Sequence, residues 1–314
     1  MTKKLIPLLL LPLFVLGACT APTENKESQE ETLSLVATTY PIYLFLSEVT
    51  RDAQGVTVTP LINQSVSCLH DYTLTVNDMK VIESADVLVR NGAGLDDFVL
   101  DSTHSNPNLK MIDCSTDMAL LPSAEEHDDA EEASDAHDHD DDGWDPHYWL
   151  DPDRAATMLQ GIANQLAVID PANADLYQKN AKAAAQTLRD EGAKLRASLA
   201  PLKTRELITF HDGFSYFAKA FDLNIVLAVE EEEGQEASAQ VISHALSLIQ
   251  TYKLPAIFTE QYSSDATAKA IAREAGVSVH PLTLLMSGPT ENPGISLYLS
   301  AMEQNVNTIL EALS

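Results

Sequence analysis

Residues 170–200 read DPANADLYQKNAKAAAQTLRDEGAKLRASLA, and this stretch decides how the rest of the chain is interpreted. Between Pro171 and Ala200 the only Gly or Pro is Gly192, and most other residues are Ala, Leu, Lys, Gln or Glu, which favour helix. Asp170-Pro171 is typical of an N-cap followed by Pro at the first helical position. The pattern predicts a helix over 170–201 of roughly 45 Å, long enough to join two lobes rigidly.

Alternating strand and helix patterns lie on both sides of this stretch. The predicted strands are LSLVATTY (33–40), VTVTPLI (56–62), DVLVR (86–90) and LKMID (109–113) before it, and ELITF (206–210), LNIVLAV (223–229), LPAIFTE (254–260) and VSVHPL (277–282) after it. Amphipathic helical patterns separate the strands, which favours parallel sheets covered by helices. The predicted fold is therefore α/β with two lobes, each a mostly parallel sheet covered by helices, joined by one long rigid helix. The predicted boundaries are 33–169 for the N-terminal lobe, 170–201 for the linking helix and 202–314 for the C-terminal lobe.

Residues 1–18 have the pattern of a signal peptide. Lys3 and Lys4 precede LIPLLLLPLFVLGA, an apolar run that is too short for a comfortable membrane span. The small residues before Cys19 resemble the lipobox of bacterial lipoproteins, which implies lipidation of Cys19. An ordinary secretory signal with an incidental Cys19 is the alternative. Residues 19–32 then read as a flexible tether, so we expect an extracytoplasmic protein that is lipid-anchored to the bacterial cell membrane.

The charge of the chain excludes one class of function. The 314 residues carry a formal net charge of −28, which rules out a nucleic-acid binder that relies on phosphate contacts. An acidic surface attracts cations over long range, although the same charge also keeps a protein soluble. After Cys19 only Cys68 and Cys114 remain; they either pair in an oxidising compartment or stay free.

Residues 123–143 form a loop rich in potential metal ligands. His127, His137 and His139 lie there among many Asp and Glu residues. Histidine adds borderline-soft nitrogen ligands, which suit zinc, so we interpret the segment as an accessory metal loop. The alternative is a solvated acidic loop without a role in metal binding.

Three other histidines share a position at or beyond the end of a predicted strand. His70 follows the second strand through a loop, His147 lies in DPHYWLDP after the fourth, and His211 directly follows ELITF. In parallel α/β sheets, ligands bind beyond the carboxyl ends of the strands. If the two lobes face each other, these three side chains converge in the cleft between them. Three histidines lack this supporting pattern: His104, His244 and His280.

Several segments of residues 33–313 resemble one known family. They are TTYPIY (38–43), His70 with Tyr72 and Asn77-Asp78, ADVLVRNGAGLDDF (85–98), DPHYWLDP (145–152), ITFHDGFSYFAKAFDL (208–223) and IFTEQYSS (257–264). The chain resembles the substrate-binding lipoproteins of bacterial ABC importers for zinc and manganese, the ZnuA/TroA-like group, and DPHYWLDP is the most specific match. The resemblance implies the two-lobed fold described above and a metal site made of His70, His147 and His211.

The resemblance also bears on the metal. A histidine at position 211 implies a zinc-type member, because manganese binders of the family often have Glu there, and three imidazoles suit zinc better than manganese. The family often supplies an Asp as fourth ligand, but that position falls on Thr283, a poor ligand. The fourth position is left to water, to the carboxylate of Glu260 or of residues 230–233, or to His280 after a shift of the loop.

The function implied by the resemblance is a high-affinity zinc receptor that delivers the ion to an ABC permease and its ATPase. We expect a monomer that is not an enzyme, with Zn²⁺ as the transported ligand and Mn²⁺ less favoured. One alternative is a metal-buffering or adhesive surface lipoprotein. A secreted zinc hydrolase is the other alternative, and the absence of the H-E-x-x-H and G-x-S-x-G motifs argues against it.

Overall fold

The structure is a computed structural model that describes residues 32–62, 69, 72–116, 118–123, 143–230 and 237–314. Several sequence-based predictions lie outside these residues: the signal peptide, the lipid anchor at Cys19, His70, the accessory-loop histidines His127, His137 and His139, and the carboxylates of 231–233. These predictions therefore stay predictions.

The described strands form two parallel sheets with the same strand order. The strands are β1 Leu33–Ala37, β2 Val56–Pro60, β3 Val87–Arg90, β4 Lys110–Asp113, β5 Glu206–His211, β6 Asn224–Glu230, β7 Ala256–Glu260 and β8 Ser278–Leu282. The first sheet has the order β2-β1-β3-β4 and the second has the order β6-β5-β7-β8. All of the pairings are parallel. The predicted α/β fold class with two parallel sheets is confirmed.

Helices connect the strands and cover both sheets. They are α1 Tyr40–Val49, α2 Val76–Glu83, α3 Leu100–Thr103, α4 Pro152–Ile169, α5 Ala174–Ser198, α6 Ser215–Ala220, α7 Ala239–Tyr252, α8 Ala266–Ala275 and α9 Ile295–Leu313. Among the helices that the structure describes, none combines the length and apolar character needed to cross a membrane. Helices α1, α4 and α5 pack against one another beside the first sheet. The chain then continues from α5 into β5.

The helix that leads to the second sheet begins later than the sequence pattern predicts. α5 has 25 residues, about 37 Å, and Asn173 rather than Asp170 is its N-cap. The N–H of Asp170 donates to Leu166 O and ends α4, while its carboxylate accepts hydrogen bonds from Tyr177 Oη at 2.6 Å and Asn173 Nδ2 at 2.8 Å. The start predicted at Pro171 is therefore wrong, because Asp170 closes a turn between two helices instead of capping the second one.

The chain returns from the second sheet to the first through residues 283–294 and α9. Tyr40 Oη donates to Pro289 O at 2.8 Å, and Tyr43 Oη donates to Thr290 O at 3.2 Å. α9 packs on α1 and α5 as well as on β8. One hydrophobic core contains residues of both sheets, and Thr32–Ser314 form one compact unit. Elements of both predicted lobes are thus held together by continuous packing.

Cys114 lies just after β4 as a buried free thiol. Burial raises its pKa well above the usual value, and the nearby carboxylates of Asp113 and Asp96 raise it further. The thiol is therefore kept protonated, in the form that neither attacks nor ligates. Of the two sequence-based alternatives the structure has Cys114 free, while Cys68 lies outside the described residues.

Candidate metal centre

The segment DPHYWLDP is held in place by its aromatic residues. Tyr148 and Trp149 are fully buried. Tyr148 Oη donates to Asn91 O at 2.5 Å beside the first sheet, whereas Trp149 Nε1 donates to Leu284 O at 2.9 Å beside the second. Each ring buries a large apolar area while its polar atom keeps a partner, which is how such side chains fix a backbone. The segment that carries His147 is therefore fastened to both sheets.

The imidazole of His147 is oriented by a neighbouring carboxylate. Its Nδ1–H donates to Asp145 Oδ1 at 2.9 Å, and the same oxygen accepts the backbone N–H of His147 at 2.9 Å. Both side chains are buried, with 3% of His147 and 5% of Asp145 exposed. A carboxylate oxygen as the acceptor requires the proton on Nδ1, so the lone pair of the neutral ring is on Nε2, the atom suited to bind a metal.

His211 meets His147 from the other sheet. It is the last residue of β5 and is buried. The centres of the two imidazole rings are 5.5 Å apart, and the ring planes are nearly perpendicular at 85°. The structure thus brings together two of the three predicted ligands, one from each predicted lobe.

Glu260 lies at the same edge of the second sheet as His211. β7 runs beside β5, and the pairing of Thr209 with Phe258 places His211 and Glu260 at neighbouring positions two residues further on. Glu260 is buried, and its Oε2 accepts a hydrogen bond from Ser263 Oγ at 3.3 Å. A buried carboxylate is stable only when paired or coordinating a metal, so its position is consistent with the fourth ligand considered above.

Thr283 is committed to the loop after β8. Its Oγ1 accepts the N–H of Leu285 at 2.9 Å, and its backbone exchanges two hydrogen bonds of 2.8 Å with the side chain of Asn305. The threonine therefore stabilises a turn at the position where the family often has a ligand. His280 lies within β8, and a hydrogen bond of 2.9 Å joins its Nε2 to Ser278 Oγ. The other two histidines without a supporting pattern are exposed: His104 and His244.

The described part of the chain does not complete the site by itself. Outside the undescribed segments, which include His70, no group of three or more His, Cys, Asp or Glu residues is placed to hold a metal ion. The residues that flank position 70 are anchored: Leu69 is part of the core, and Tyr72 Oη donates to Asp78 Oδ2 at 3.0 Å. The prediction of His70 as a ligand thus rests on the sequence.

Two residues of the site were missed by sequence reasoning. Asp145 is visible in the DPHYWLDP motif, but nothing in the motif assigns it a partner. Tyr216 lies in α6 within an amphipathic pattern that predicts only a helix. The structure shows that Tyr216 Oη donates to Asp145 O at 2.9 Å and accepts the N–H of Leu121 at 2.6 Å. Burial raises the pKa of Tyr216 to about 12, so the hydroxyl stays protonated and can donate.

The Gly213→Ala variant is expected to weaken zinc binding about tenfold. A Cβ at this position would lie 2.9 Å from His211 Cδ2 and 3.0 Å from Leu284 Cδ2, so the imidazole ring must move. Overpacking of this kind costs roughly 1–3 kcal/mol, and about 1.4 kcal/mol corresponds to a tenfold change in affinity. Competition with a chromophoric zinc chelator measures the change.

The matched control for this substitution is Gly161→Ala in α4, where an added Cβ meets nothing within 4 Å. It is expected to leave zinc binding unchanged, because the new methyl group displaces no neighbouring atom. If Gly213→Ala binds zinc as tightly as the wild type, then zinc binding does not depend on the position that the His211 ring has in this structure.

Comparison with known proteins adds an independent finding. The family model "ZnuA: Zinc-uptake complex component A periplasmic" matches residues 35–312. The zinc-binding lipoprotein AdcA of Streptococcus pneumoniae strain R6 is 29% identical over 312 residues, covering 98% of this chain but 60% of AdcA. The high-affinity zinc uptake system protein ZnuA of Bacillus subtilis is 28% identical over 315 residues, covering 96% of this chain and 97% of that protein. The chain thus spans about 60% of AdcA but nearly all of the Bacillus protein.

Solved structures agree with this comparison. A Zn(II)-bound variant of AdcAII from Streptococcus pneumoniae has a TM-score of 0.76 at 29% identity, covering 90% of this chain and 99% of that one. The laminin-binding adhesin Lmb from Streptococcus agalactiae has a TM-score of 0.75 at 26% identity, covering 90% of this chain and all of that one. Both have the fold of this chain.

Proposed function

The chain belongs to the family of periplasmic zinc-uptake complex component A proteins, and we propose that it is an extracytoplasmic receptor that binds zinc with high affinity and delivers it to an ABC importer. The permease and its ATPase are the partners that this function requires. We also propose that lipidation of Cys19 holds the receptor, as a monomer, at the membrane surface. Fractionation of cells that express a Cys19→Ala variant tests the anchor. If Cys19 carries the lipid, the variant is released from the membrane.

The observation that carries this proposal is the buried pair of imidazoles. His147 and His211 come from different sheets, have ring centres 5.5 Å apart, and are both largely shielded from water. Imidazole nitrogen suits Zn²⁺ better than the harder Mn²⁺. We propose His70 as the third ligand, with Glu260 or a water molecule in the fourth position.

Several features of the site favour tight binding. His211 and Glu260 lie on adjacent strands, and His147 is locked by Asp145 and by buried aromatic residues. Because these groups are ordered by the fold, a zinc ion would have little side-chain freedom left to remove when it binds. Carboxylates close to the imidazoles also offset the two positive charges of the ion in a poorly hydrated site.

The adhesive alternative is supported by one observation, the similarity to the laminin-binding adhesin Lmb. Uptake of zinc by cells that lack the protein separates the two functions, because a receptor is needed at limiting zinc whereas an adhesin is not. No observation favours the hydrolase alternative. The relatives named above are named for metal binding, zinc uptake or adhesion, and none of these for catalysis.

The experiment that tests the proposed function is a zinc titration combined with a crystal structure of the loaded protein. Anomalous scattering at the zinc edge identifies the ion and its position. We expect one tightly bound zinc ion on His70, His147 and His211. An ion bound elsewhere in the chain, or no tight binding at all, contradicts the proposal.

Deletion of residues 125–142 is expected to lower the number of zinc ions bound per chain while leaving the tight site unchanged. The stem of this loop is closed by the described residues on either side: Ser123 N donates to Gly143 O at 2.8 Å and Asp145 N donates to Leu121 O at 2.9 Å. The two ends therefore already lie side by side, and a short turn can join them without strain. Isothermal titration measures the number of ions.

A matched variant separates the histidines from the acidic residues of this loop. Replacing His127, His137 and His139 by Ser keeps the loop length and its carboxylates. If the deletion leaves both the number of bound ions and zinc uptake at limiting zinc unchanged, the loop has no accessory role in metal capture.

A further inference from the structure

We propose that Tyr216 and Asp145 form a positioning relay, in which the phenol of Tyr216 fixes the backbone of Asp145 and the carboxylate of Asp145 presets His147 for zinc. The inference deepens the proposed function and rests on it, because it concerns the same zinc site. Neither residue is a ligand in this proposal; both act through His147. The relay links the two halves of the site, since Tyr216 belongs to the segment that also carries His211.

The first step of the relay is the contact between Asp145 and His147. One carboxylate oxygen of Asp145 accepts both the ring Nδ1–H and the backbone N–H of His147. Its other oxygen is buried and has no hydrogen-bond partner among the described residues. A buried carboxylate that is only half satisfied is unfavourable unless positive charge lies nearby. Zinc bound to Nε2 of His147 would place that charge across the ring, and the carboxylate in turn makes the imidazole a stronger ligand.

The second step is the contact between Tyr216 and both strands of the loop stem. Its hydroxyl accepts the N–H of Leu121 and donates to the carbonyl of Asp145, and these two residues are themselves hydrogen-bonded. The hydroxyl of Tyr216 thus completes a hydrogen-bond network of three residues that fixes the backbone position of Asp145. Without it, the half-buried N–H of Leu121 and the buried carbonyl of Asp145 would each lose a partner, and the stem would be free to shift.

The ring of Tyr216 is itself fixed from two sides. Arg154 stacks over the ring with its guanidinium carbon 4.9 Å from the centroid, and the Tyr148 ring meets it edge-on at 6.4 Å. The position of Arg154 is set by Asp151, whose Oδ2 lies 3.4 Å from its Nε. Because Tyr216 follows His211 in the chain by one tight turn and the start of α6, the placement of the ring is tied to the placement of His211.

The relay makes a specific prediction about the geometry of the bound metal. In this proposal, contacts between Tyr216, Asp145 and His147 set the position of the His147 ring relative to His211. Loss of Tyr216 or Asp145 therefore changes the angle and distance at which His147 Nε2 binds the ion. A merely structural role would lower the stability of the protein without changing the coordination of the metal. Bound Co²⁺, whose visible absorption bands report ligand geometry, distinguishes these two cases.

The test uses the full mature chain and chelator competition with Zn²⁺. Asp145→Asn is expected to bind zinc about 10- to 100-fold more weakly, as is typical when the partner of a metal-bound histidine is lost. Tyr216→Phe, which loses only the hydroxyl, is expected to bind about 3- to 10-fold more weakly. Both variants are expected to shift the Co²⁺ bands, and Asp145→Glu is expected to restore part of the affinity.

Two further variants make the test decisive. The double variant Asp145→Asn with Tyr216→Phe is expected to bind no more weakly than Asp145→Asn alone, because the phenol acts through Asp145. Tyr177→Phe is the matched control: its hydroxyl donates to Asp170 at 2.6 Å in the turn between α4 and α5 and bonds to none of the relay residues, so its loss is expected to leave zinc affinity and the Co²⁺ spectrum unchanged.

The possible outcomes separate this inference from the proposed function. Unchanged zinc affinity and Co²⁺ bands in Asp145→Asn, or fully additive losses in the double variant, overturn the relay. If the wild type binds no zinc tightly, or if His147→Ala binds it as tightly as the wild type, the zinc site itself is wrong. If His147→Ala abolishes tight binding while Asp145→Asn does not weaken it, the site stands and only the relay fails.

Discussion

Replacing His147 with alanine is expected to weaken zinc binding about 100- to 1,000-fold. A tight zinc site has an apparent binding free energy of about 10–16 kcal/mol, so each of three or four ligands accounts for roughly 3–4 kcal/mol, and about 1.4 kcal/mol is a tenfold change. The remaining imidazole of His211 cannot compensate, because it lies on a strand of a packed sheet and has no freedom to move toward a second position. Competition with a chromophoric chelator measures the loss.

The alanine variant also removes a buried ring, so a second substitution separates ligand loss from loss of packing. In His147→Asn the side-chain amide can occupy the place of Nδ1 and keep the hydrogen bond to Asp145, but no atom replaces Nε2. We expect the same loss of zinc affinity with a smaller change in the melting temperature of the zinc-free protein. His244→Ala, at an exposed position on α7, is the control that should bind zinc normally. Tight binding by His147→Asn would show that this ring is not a ligand.

Replacing Asp96 with alanine is expected to lower the free energy of unfolding by about 3–5 kcal/mol. The carboxylate is fully buried and accepts hydrogen bonds from Thr38 Oγ1 at 2.5 Å, Asn91 N at 2.6 Å and Gly92 N at 2.9 Å, while Arg90 Nε lies 3.6 Å away. Burial raises the pKa of Asp96, whereas these four partners oppose the rise. Alanine would leave several buried donors without an acceptor and Arg90 without its most buried carboxylate.

The same substitution is expected to loosen the proposed zinc site. The loop that Asp96 ties together includes Asn91, whose carbonyl accepts the Tyr148 hydroxyl and whose Nδ2 donates to Pro146 O at 3.1 Å. Both contacts hold the segment that carries His147. Urea unfolding of the zinc-free protein measures the stability, and zinc titration measures the site.

Asp190→Ala is the matched control, an acidic residue on an exposed face of α5 that accepts one hydrogen bond from Gln186. Its effect on unfolding is expected to stay below about 0.5 kcal/mol, as for most surface substitutions. A loss below about 1 kcal/mol in Asp96→Ala would show that the buried network is replaceable by water or by rearrangement of the loop.

The secondary structure was largely predictable because its signals are local. Runs of β-branched and apolar residues marked the described strands, and Gly276 marked the end of α8, where it adopts the left-handed conformation with φ of 75°. The start of α5 was not predictable in this way. Asp170-Pro171 has the pattern of a helix start, but the carboxylate of Asp170 is used by Tyr177, a contact that only the finished turn provides.

The candidate site was predictable only in part. The motif DPHYWLDP and the histidine at the end of β5 pointed to His147 and His211, and the structure brings their rings together. Thr283 was recognised as an unsuitable ligand, and the structure adds the reason for its presence, a hydrogen bond to the N–H of Leu285. The role of Tyr216 was invisible in the sequence, because its partner Asp145 lies 71 residues away along the chain.

What the sequence determined by itself is therefore the set of elements, the α/β class and the residues capable of binding zinc, since each of these follows from local periodicity or from the chemistry of single side chains. The tertiary structure alone decided which of these residues meet. Parallel pairing of β5 with β7 placed His211 beside Glu260. Buried hydrogen bonds from Tyr216 and Trp149 fixed the segment of His147 between the two sheets. Such contacts depend on which surfaces pack together, and packing joins residues whose distance along the chain carries no information about their distance in space.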